Sequence, residues 1–316
     1  MEDKICLFCG KKLVSNIDSA YWHESCIMSF FGEKTIPMFD FNEESIKYFA
    51  SNNVSDGNVV GGVQKKLSFE FKSKRKKKLL VSKKYIIKPH ENKYPLLNVY
   101  EWVGNRLAAV CGFKVVQAGL IKTKDGTFCY VTKRADRKIV DEQIVKLPME
   151  DFAQLSETLT ENKYVGSYEK AYKKVILKYS ENLLFDTVEY FRMIFFSYII
   201  GNTDMHLKNF SLLKENQFYM LSPFYDILPV LMIVDQTDMA LTINGKSRNL
   251  TQNDFVKFGK SISLDERLIY MAMNSVLSKL DSMYSFIETS PLNKEEQSKL
   301  ISFIKNRTEN FKIKQF

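Results

Sequence analysis

Asp204 and Asn209 lie five positions apart in the string IGNTDMHLKNFSLL, and Asp226 follows in SPFYDILP. That spacing suits phosphoryl transfer. An Asp can accept the proton of an attacking hydroxyl, while an Asn and a second Asp hold a metal ion. Asp204 is therefore the candidate base, and Asn209 and Asp226 are the candidate Mg²⁺ ligands. Lys208 could reach the transferring group and its developing charge. His206 has two readings, as a brace for the loop backbone or as a group that touches phosphate. The Asp/Asn spacing alone is a weak signal. Its weight comes from position, after an apolar run at Asp186–Ile200 and before two strand patterns, NFSLL and FYMLS. The run predicts a central buried helix closed by Gly201.

A second set lies upstream. Lys88 ends the apolar string YIIK, which reads as a strand, and Glu101 falls early in the helix predicted over Leu96–Cys111. A strand Lys that approaches phosphates needs a carboxylate to hold it, and Glu101 is the natural partner. Gly61, Gly62, Val63, Gln64 and Lys65 precede another strand pattern, LSFEF. Glycines let backbone N–H groups come close to phosphate oxygens. The string is neither G-x-G-x-x-G nor a Walker A sequence, so a plain turn is an equal reading.

Cys6-x-x-Cys9-Gly10 and His23-x-x-Cys26 form a third set. Two such pairs can close a tetrahedral structural Zn²⁺ site from three thiolates and one imidazole. A short appendage has little core of its own, so a metal would give it a reason to fold. A redox C-x-x-C is the alternative. Cys111 and Cys129 sit in apolar contexts and read as core residues.

These sets need elements to position them. The chain has 316 residues, of which 45% are apolar and 13% aromatic, enough for two separate cores. Residues 1–40 read as the zinc-binding appendage. A helix is expected near Glu43–Ala50. Strand patterns in LSFEF, YIIK, FKVVQAGLI and TFCYVTK make residues 41–137 a strand-rich unit carrying the phosphate loop. Residues 138–316 read as mostly helical, with helices in Asp265–Tyr284 and Lys294–Asn310. The fold class is α+β.

The net charge is +9, much of it from KSKRKKK at residues 72–78 with Lys83 and Lys84 behind. A solvated hairpin tip accounts for such a run. A contact for an acidic partner or nucleic acid is the sharper reading, without a base-stacking platform, because no aromatics interleave. No apolar stretch is long enough to span a membrane, and MEDKICLFCG lacks the features of a secretion signal. An odd count of five cysteines fits reduced thiols or a metal site. A cytoplasmic location is the expectation.

GNTDMHLKNFSLL followed by SPFYDILP resembles the catalytic and metal-binding segments of the HipA-like serine/threonine kinases, toxins of bacterial toxin–antitoxin pairs. GGVQKKLS, YIIKP, the Glu101 helix, KRADR, EDFAQL and ALTINGKSRNLT extend the resemblance from about Gly57 to beyond Asn249. It implies a two-lobed protein-kinase-like fold with a strand-rich N-lobe and a helical C-lobe. ATP and Mg²⁺ would be the cofactors, and the substrate a protein such as an aminoacyl-tRNA synthetase. A HipB-like DNA-binding antitoxin would be the partner, so DNA would be met only indirectly. By the resemblance Asp204 matches the catalytic Asp, Asn209 and Asp226 the metal ligands, and Lys88 the ATP-binding Lys. Gln154 matches a further polar residue of the cleft. Lys133 and Ala135 stand in the hinge, where the family more often has Glu and Phe; backbone groups usually hold adenine there. Val59 replaces the Ser whose autophosphorylation silences family members, with Ser55 the nearest upstream hydroxyl. The larger N-terminal subdomain of full-length HipA is not seen, as in short HipT-like kinases, where a small HipS-like protein resembles the missing piece. A small-molecule or lipid kinase and a kinase-shaped, non-catalytic co-repressor are the rival readings.

Overall fold

Tyr85, Ile87 and Lys88 are buried in the strand that YIIK forms, and Ile86 is half-buried. The computed structural model describes residues 5–13, 21–36, 67–69, 84–123, 126–141, 143–234 and 239–314. The Gly61–Lys65 loop, Val59, Ser55, the expected Glu43–Ala50 helix, residues 72–78 and Lys83 lie outside them. The chain divides into two compact units. The first draws on residues up to Trp102, Val116–Lys146 and Thr289–Pro291, and the second on the rest.

The first unit begins with the appendage, whose helix α1 spans Glu24–Phe31 and ends on Gly32. Strands β1 (Leu67–Phe69), β2 (Tyr85–Lys88), β3 (Ala118–Lys122) and β4 (Phe128–Lys133) build an antiparallel sheet in the order β1-β2-β4-β3. Helix α2 (Leu97–Val110) connects β2 to β3 in sequence. Trp102 and Leu107 are buried, while Val110 is only half-buried. An edge strand leaves unpaired backbone groups that must be covered. Here the appendage covers β3. Leu120 N–H donates to the Leu7 carbonyl (2.9 Å), and Trp22 Nε1–H donates to the Leu120 carbonyl (2.8 Å). Gly119 makes room for this, because a Cβ there would lie 2.2 Å from the indole of Trp22. Phe30 and Phe31 pack on Tyr85, whose hydroxyl donates to the Phe30 carbonyl at 2.9 Å. A short hairpin, β5 (Arg137–Val140) and β6 (Gln143–Lys146), follows the sheet.

Beyond the end of α2, the second unit continues with β7 (Met149–Asp151) and the one-turn helix α3 (Phe152–Leu155). Next come α4 (Tyr168–Ala171) and α5 (Leu177–Tyr179), joined by the π-helical turn Tyr172–Ile176. Helix α6 (Leu183–Ile200) is the centre of this unit, buried through most of its length as its composition predicts. Gly201 caps it at φ 75°, and Asn202 N–H reaches back to the Ser197 carbonyl at 2.8 Å. That left-handed residue turns the chain sharply into the Asp204 loop. Strands β8 (Ser211–Glu215) and β9 (Phe218–Leu221) pair with β7 in the order β7-β8-β9. The hairpin is pinned to α6 by the buried Asp186 carboxylate, which accepts from Leu221 N–H at 2.8 Å. Helices α7 (Gln252–Ser261), α8 (Glu266–Leu277), α9 (Leu280–Thr289) and α10 (Lys294–Thr308) complete the chain. Among the described residues, no helix is long and apolar enough to cross a membrane.

Candidate active site

The loop after α6 brings four predicted residues together by closing on itself. Asn209 Nδ2 donates to the Asp204 backbone carbonyl at 2.7 Å, and Asn209 N–H donates to the His206 carbonyl at 2.9 Å. The first bond spends the amide nitrogen of Asn209 on structure, which leaves its oxygen as the atom that could ligate a metal. Neighbouring side chains fix the rest of the loop. Tyr168 donates to the Met205 carbonyl at 3.0 Å, and Tyr225 donates to the Lys208 carbonyl at 3.1 Å. The Tyr225 hydroxyl also meets the Ser211 hydroxyl at 2.6 Å.

His206 takes the bracing arrangement. Its ring is buried and caps the 3₁₀ turn Leu207–Asn209, with Nδ1 accepting from Lys208 N–H at 3.2 Å. Burial holds the imidazole below its ordinary pKa. A neutral ring with Nδ1 as acceptor carries its proton on Nε2, and Nε2 stands 3.8 Å from Asp204 Oδ1. The Asp204 side chain is 45% exposed. Lys208 pairs with Asp151 Oδ2 at 2.9 Å. Asp151 is in turn fixed as the N-cap of α3. It accepts from Gln154 N–H at 2.8 Å, and Gln154 Oε1 accepts from Asp151 N–H at 3.0 Å. Gln154 thus orients the carboxylate that holds Lys208. Asp226 has φ 52°, a left-handed backbone rare for a residue with a side chain. Such strain collects at functional positions.

Two features of this loop escaped the sequence reading. Asp151, as the partner of Lys208, is 57 residues away along the chain. Tyr164 donates its hydroxyl to Asp204 Oδ1 at 2.6 Å from 40 residues away. No spacing rule reaches so far. The capping box D-F-A-Q was readable and points at Asp151.

In the first unit, Lys88 Nζ and Glu101 Oε1 meet at 2.5 Å, with side chains only 5% and 2% exposed. Asn98, one helical turn earlier, ties the start of α2 to the sheet by donating to the Lys88, Pro89 and Phe128 carbonyls. A buried pair of this kind gains little stability over an apolar replacement, so its presence needs another reason. After β4, Arg134 makes two 2.9 Å bonds to the Asp136 carboxylate, and Arg137 binds the same group. This clamp rigidifies the KRADR turn. Lys133 does not point freely from it: its ammonium donates to the Ser29 carbonyl at 2.9 Å. Burial and nearby Lys84 push its pKa down to about 8. Ala135 lies in the same turn, between the two arginines.

In the appendage, the ligand atoms of Cys6, Cys9, His23 and Cys26 all lie within 4.8 Å of one another. His23 Nδ1 is 3.4 Å from Cys9 Sγ and 3.6 Å from Cys26 Sγ. Its Nε2 lies 3.1 Å from the Lys12 carbonyl, the partner that fixes Nδ1 toward the sulfurs. Gly10 adopts φ 76° and donates to the Cys6 carbonyl at 2.8 Å, closing the knuckle. The bond from Cys6 lowers the Cys9 pKa to about 4, while that bond and burial raise the Cys6 pKa. Three sulfurs and one nitrogen in this space suit tetrahedral Zn²⁺. This cluster could hold a metal.

The fold and these sites define a class before any relative is considered: a kinase-like α+β protein with a Cys₃His cluster at its N-terminus. The model of the HipA-like C-terminal domain family matches residues 59–284, and the chain belongs to that family. A putative kinase of Haemophilus influenzae is 28% identical over 259 residues, covering 72% of this chain and 75% of the relative. The putative kinase Y4mE of Sinorhizobium fredii is 29% identical, over 54% of this chain and 41% of the relative. Among solved structures, HipA of Shewanella oneidensis MR-1, solved with HipB and operator DNA, aligns with a TM-score of 0.66. It shares 17% identity over 89% of this chain and 78% of that chain. The Helicobacter pylori proinflammatory kinase CtkA aligns with a TM-score of 0.56 at 16% identity, over 80% of this chain and 90% of that one.

Proposed function

We propose that the protein is an ATP- and Mg²⁺-dependent serine/threonine protein kinase that acts as a HipA-like toxin. The observation that carries this is the closed Asp204–Asn209 loop, with the Asn209 amide nitrogen bound to the Asp204 backbone and with Asn209 Oδ1 and Asp204 Oδ2 left for chemistry. In this reading Asp204 takes the proton of the acceptor hydroxyl. Asn209 and Asp226 would hold Mg²⁺, which supplies positive charge to the phosphate oxygens when bound. Lys88, aimed by Glu101, would contact the phosphates of ATP. The Gly61–Lys65 loop would cover them, and the KRADR turn with Lys133 and Ala135 would flank the adenine. Lys208, steadied by Asp151, would stand near the developing charge. The Cys₃His cluster would hold a structural Zn²⁺ and play no part in transfer, having no open position.

The acceptor would be a Ser or Thr of a translation-related protein such as an aminoacyl-tRNA synthetase, and the location cytoplasmic. A HipB-like antitoxin would be the partner, with a small HipS-like protein as a second one. The support for the antitoxin is the S. oneidensis HipA, which is solved with HipB. Incubating the protein with γ-labelled ATP, Mg²⁺ and a bacterial lysate tests the proposal. One dominant labelled protein carrying phosphoserine or phosphothreonine is expected. Label in lipid or small-molecule fractions alone would contradict it.

A further inference from the structure

Tyr164 stands against the candidate base without having been part of any motif. Its hydroxyl donates to Asp204 Oδ1 at 2.6 Å. Its ring meets the buried His206 ring edge-on, with centroids 4.8 Å apart. His206 Nε2 faces the same oxygen, Oδ1, at 3.8 Å. One hydrogen bond therefore holds Oδ1, with the imidazole standing beside it, and no hydrogen bond to Oδ2 occurs among the described residues.

The backbone that carries Tyr164 is fixed as well. Leu207 N–H donates to the Lys163 carbonyl at 3.3 Å, and Val165 N–H donates to the Asn162 carbonyl at 2.8 Å. Thr242 N–H and its hydroxyl both donate to the Gly166 carbonyl, at 3.3 and 3.2 Å. Gly166 itself has φ 124°, a conformation that a side chain would strain. Yet Tyr164 remains 43% exposed, and Leu159 and Val165 beside it in the same loop are exposed at 64% and 67%. A ring held for packing alone would be covered. This one is fixed at its hydroxyl and against His206, with Lys163 over its face, and is exposed over the rest.

We infer that Tyr164 is a positioning residue for phosphoryl transfer: it tethers Asp204 Oδ1, so that Oδ2 is presented to the acceptor hydroxyl. The inference rests on the reading of Asp204 as the base. Burial and the Asp204 carboxylate both raise the Tyr164 pKa, so the phenol stays protonated and remains a donor throughout the neutral range. A carboxylate that is free to rotate spends part of its time with neither oxygen facing the acceptor, and orientation of reacting groups is a large part of the rate.

The test is Tyr164→Phe, which keeps the ring and removes the donor. Steady-state kinetics use ATP and the acceptor protein recovered by lysate labelling. The expected result is a fall in kcat on the order of tenfold, the effect of losing one hydrogen bond to a charged group. KM for ATP and for the acceptor should change less than about twofold, and the melting temperature should stay put. In an Asp204→Asn background the Phe substitution should have no further effect, because the two residues act as a unit. Wild-type kcat in Tyr164→Phe would overturn the inference. So would a lower acceptor KM at unchanged kcat, which would make Tyr164 a competitor for the base. The failure of the underlying reading looks different: Asp204→Asn alone would then keep its activity.

Discussion

Replacing Lys88 separates the stability of the first unit from its proposed chemistry. Lys88→Met removes the cation and leaves the Glu101 carboxylate in a site where its side chain is 2% exposed. Breaking a buried pair by removing one partner costs about 3–5 kcal/mol. At about 2–4 °C per kcal/mol for a domain of this size, the melting temperature should fall roughly 6–20 °C. Lys88→Met/Glu101→Leu removes both charges and fills the space with apolar groups. Such paired replacements are often neutral or stabilising, so the double variant should melt within about 3 °C of the wild type. Both variants should lose ATP-dependent labelling. Differential scanning fluorimetry reads the first quantity and labelled transfer the second. A single variant as stable as wild type would show that the pair is not buried and coupled as described. A stable double variant with normal transfer would refute the phosphate-binding role of Lys88.

Three further outcomes follow from the structure. Protein purified without added metal should carry about one Zn²⁺ per chain by elemental analysis, and Cys26→Ser should lose it; a metal-free protein with an ordered appendage would return Cys6, Cys9 and Cys26 to the redox reading. Gly119→Val should displace Trp22 and destabilise the appendage by about 1–3 kcal/mol, read by tryptophan fluorescence during thermal unfolding, because even a bare Cβ falls 2.2 Å from the indole. Burial would raise the Asp136 pKa, but the bonds and charges of Arg134 and Arg137 outweigh it and hold the carboxyl below its ordinary value. A group depressed on folding stabilises above its unfolded pKa and loses that contribution as pH falls through the folded value. Asp136→Asn should therefore flatten the acid limb of stability measured below about pH 4, and an unchanged limb would show that the clamp carries no such linkage.

What the sequence disclosed, and what it hid, follows from how far each contact reaches. The α6 helix was legible because an apolar run with a glycine stop is local information. The β8–β9 hairpin was legible for the same reason, and its turn at Asn216 and Gln217 takes the positive φ angles that tight hairpins use. The His206, Lys208 and Asn209 bonds arise within six residues, so spacing revealed the set. Helix α7 went unnoticed although Thr251 and Asp254 form a capping box at its start. The β5–β6 hairpin was hidden for another reason: its four-residue strands expose Ile139, Val140 and Val145, so no buried face shows as alternation. Tyr164, and the pairing of Asp151 with Lys208, were invisible because chain folding alone brings them to the Asp204 loop. Lys133 was read from its place in the hinge, and α1, packed on Tyr85 opposite it in the neighbouring strand, explains why its ammonium goes to the appendage.

Asp204→Asn, assayed with γ-labelled ATP, Mg²⁺ and lysate beside the wild type, tests the central claim most directly. The substitution keeps the size of the side chain and its place opposite Tyr164, and it removes the proton acceptor. Loss of a general base should lower transfer on the order of 10²-fold or more, with ATP binding and melting temperature unchanged. Wild-type labelling by a folded Asp204→Asn protein would contradict the account and move the base, or the chemistry itself, elsewhere.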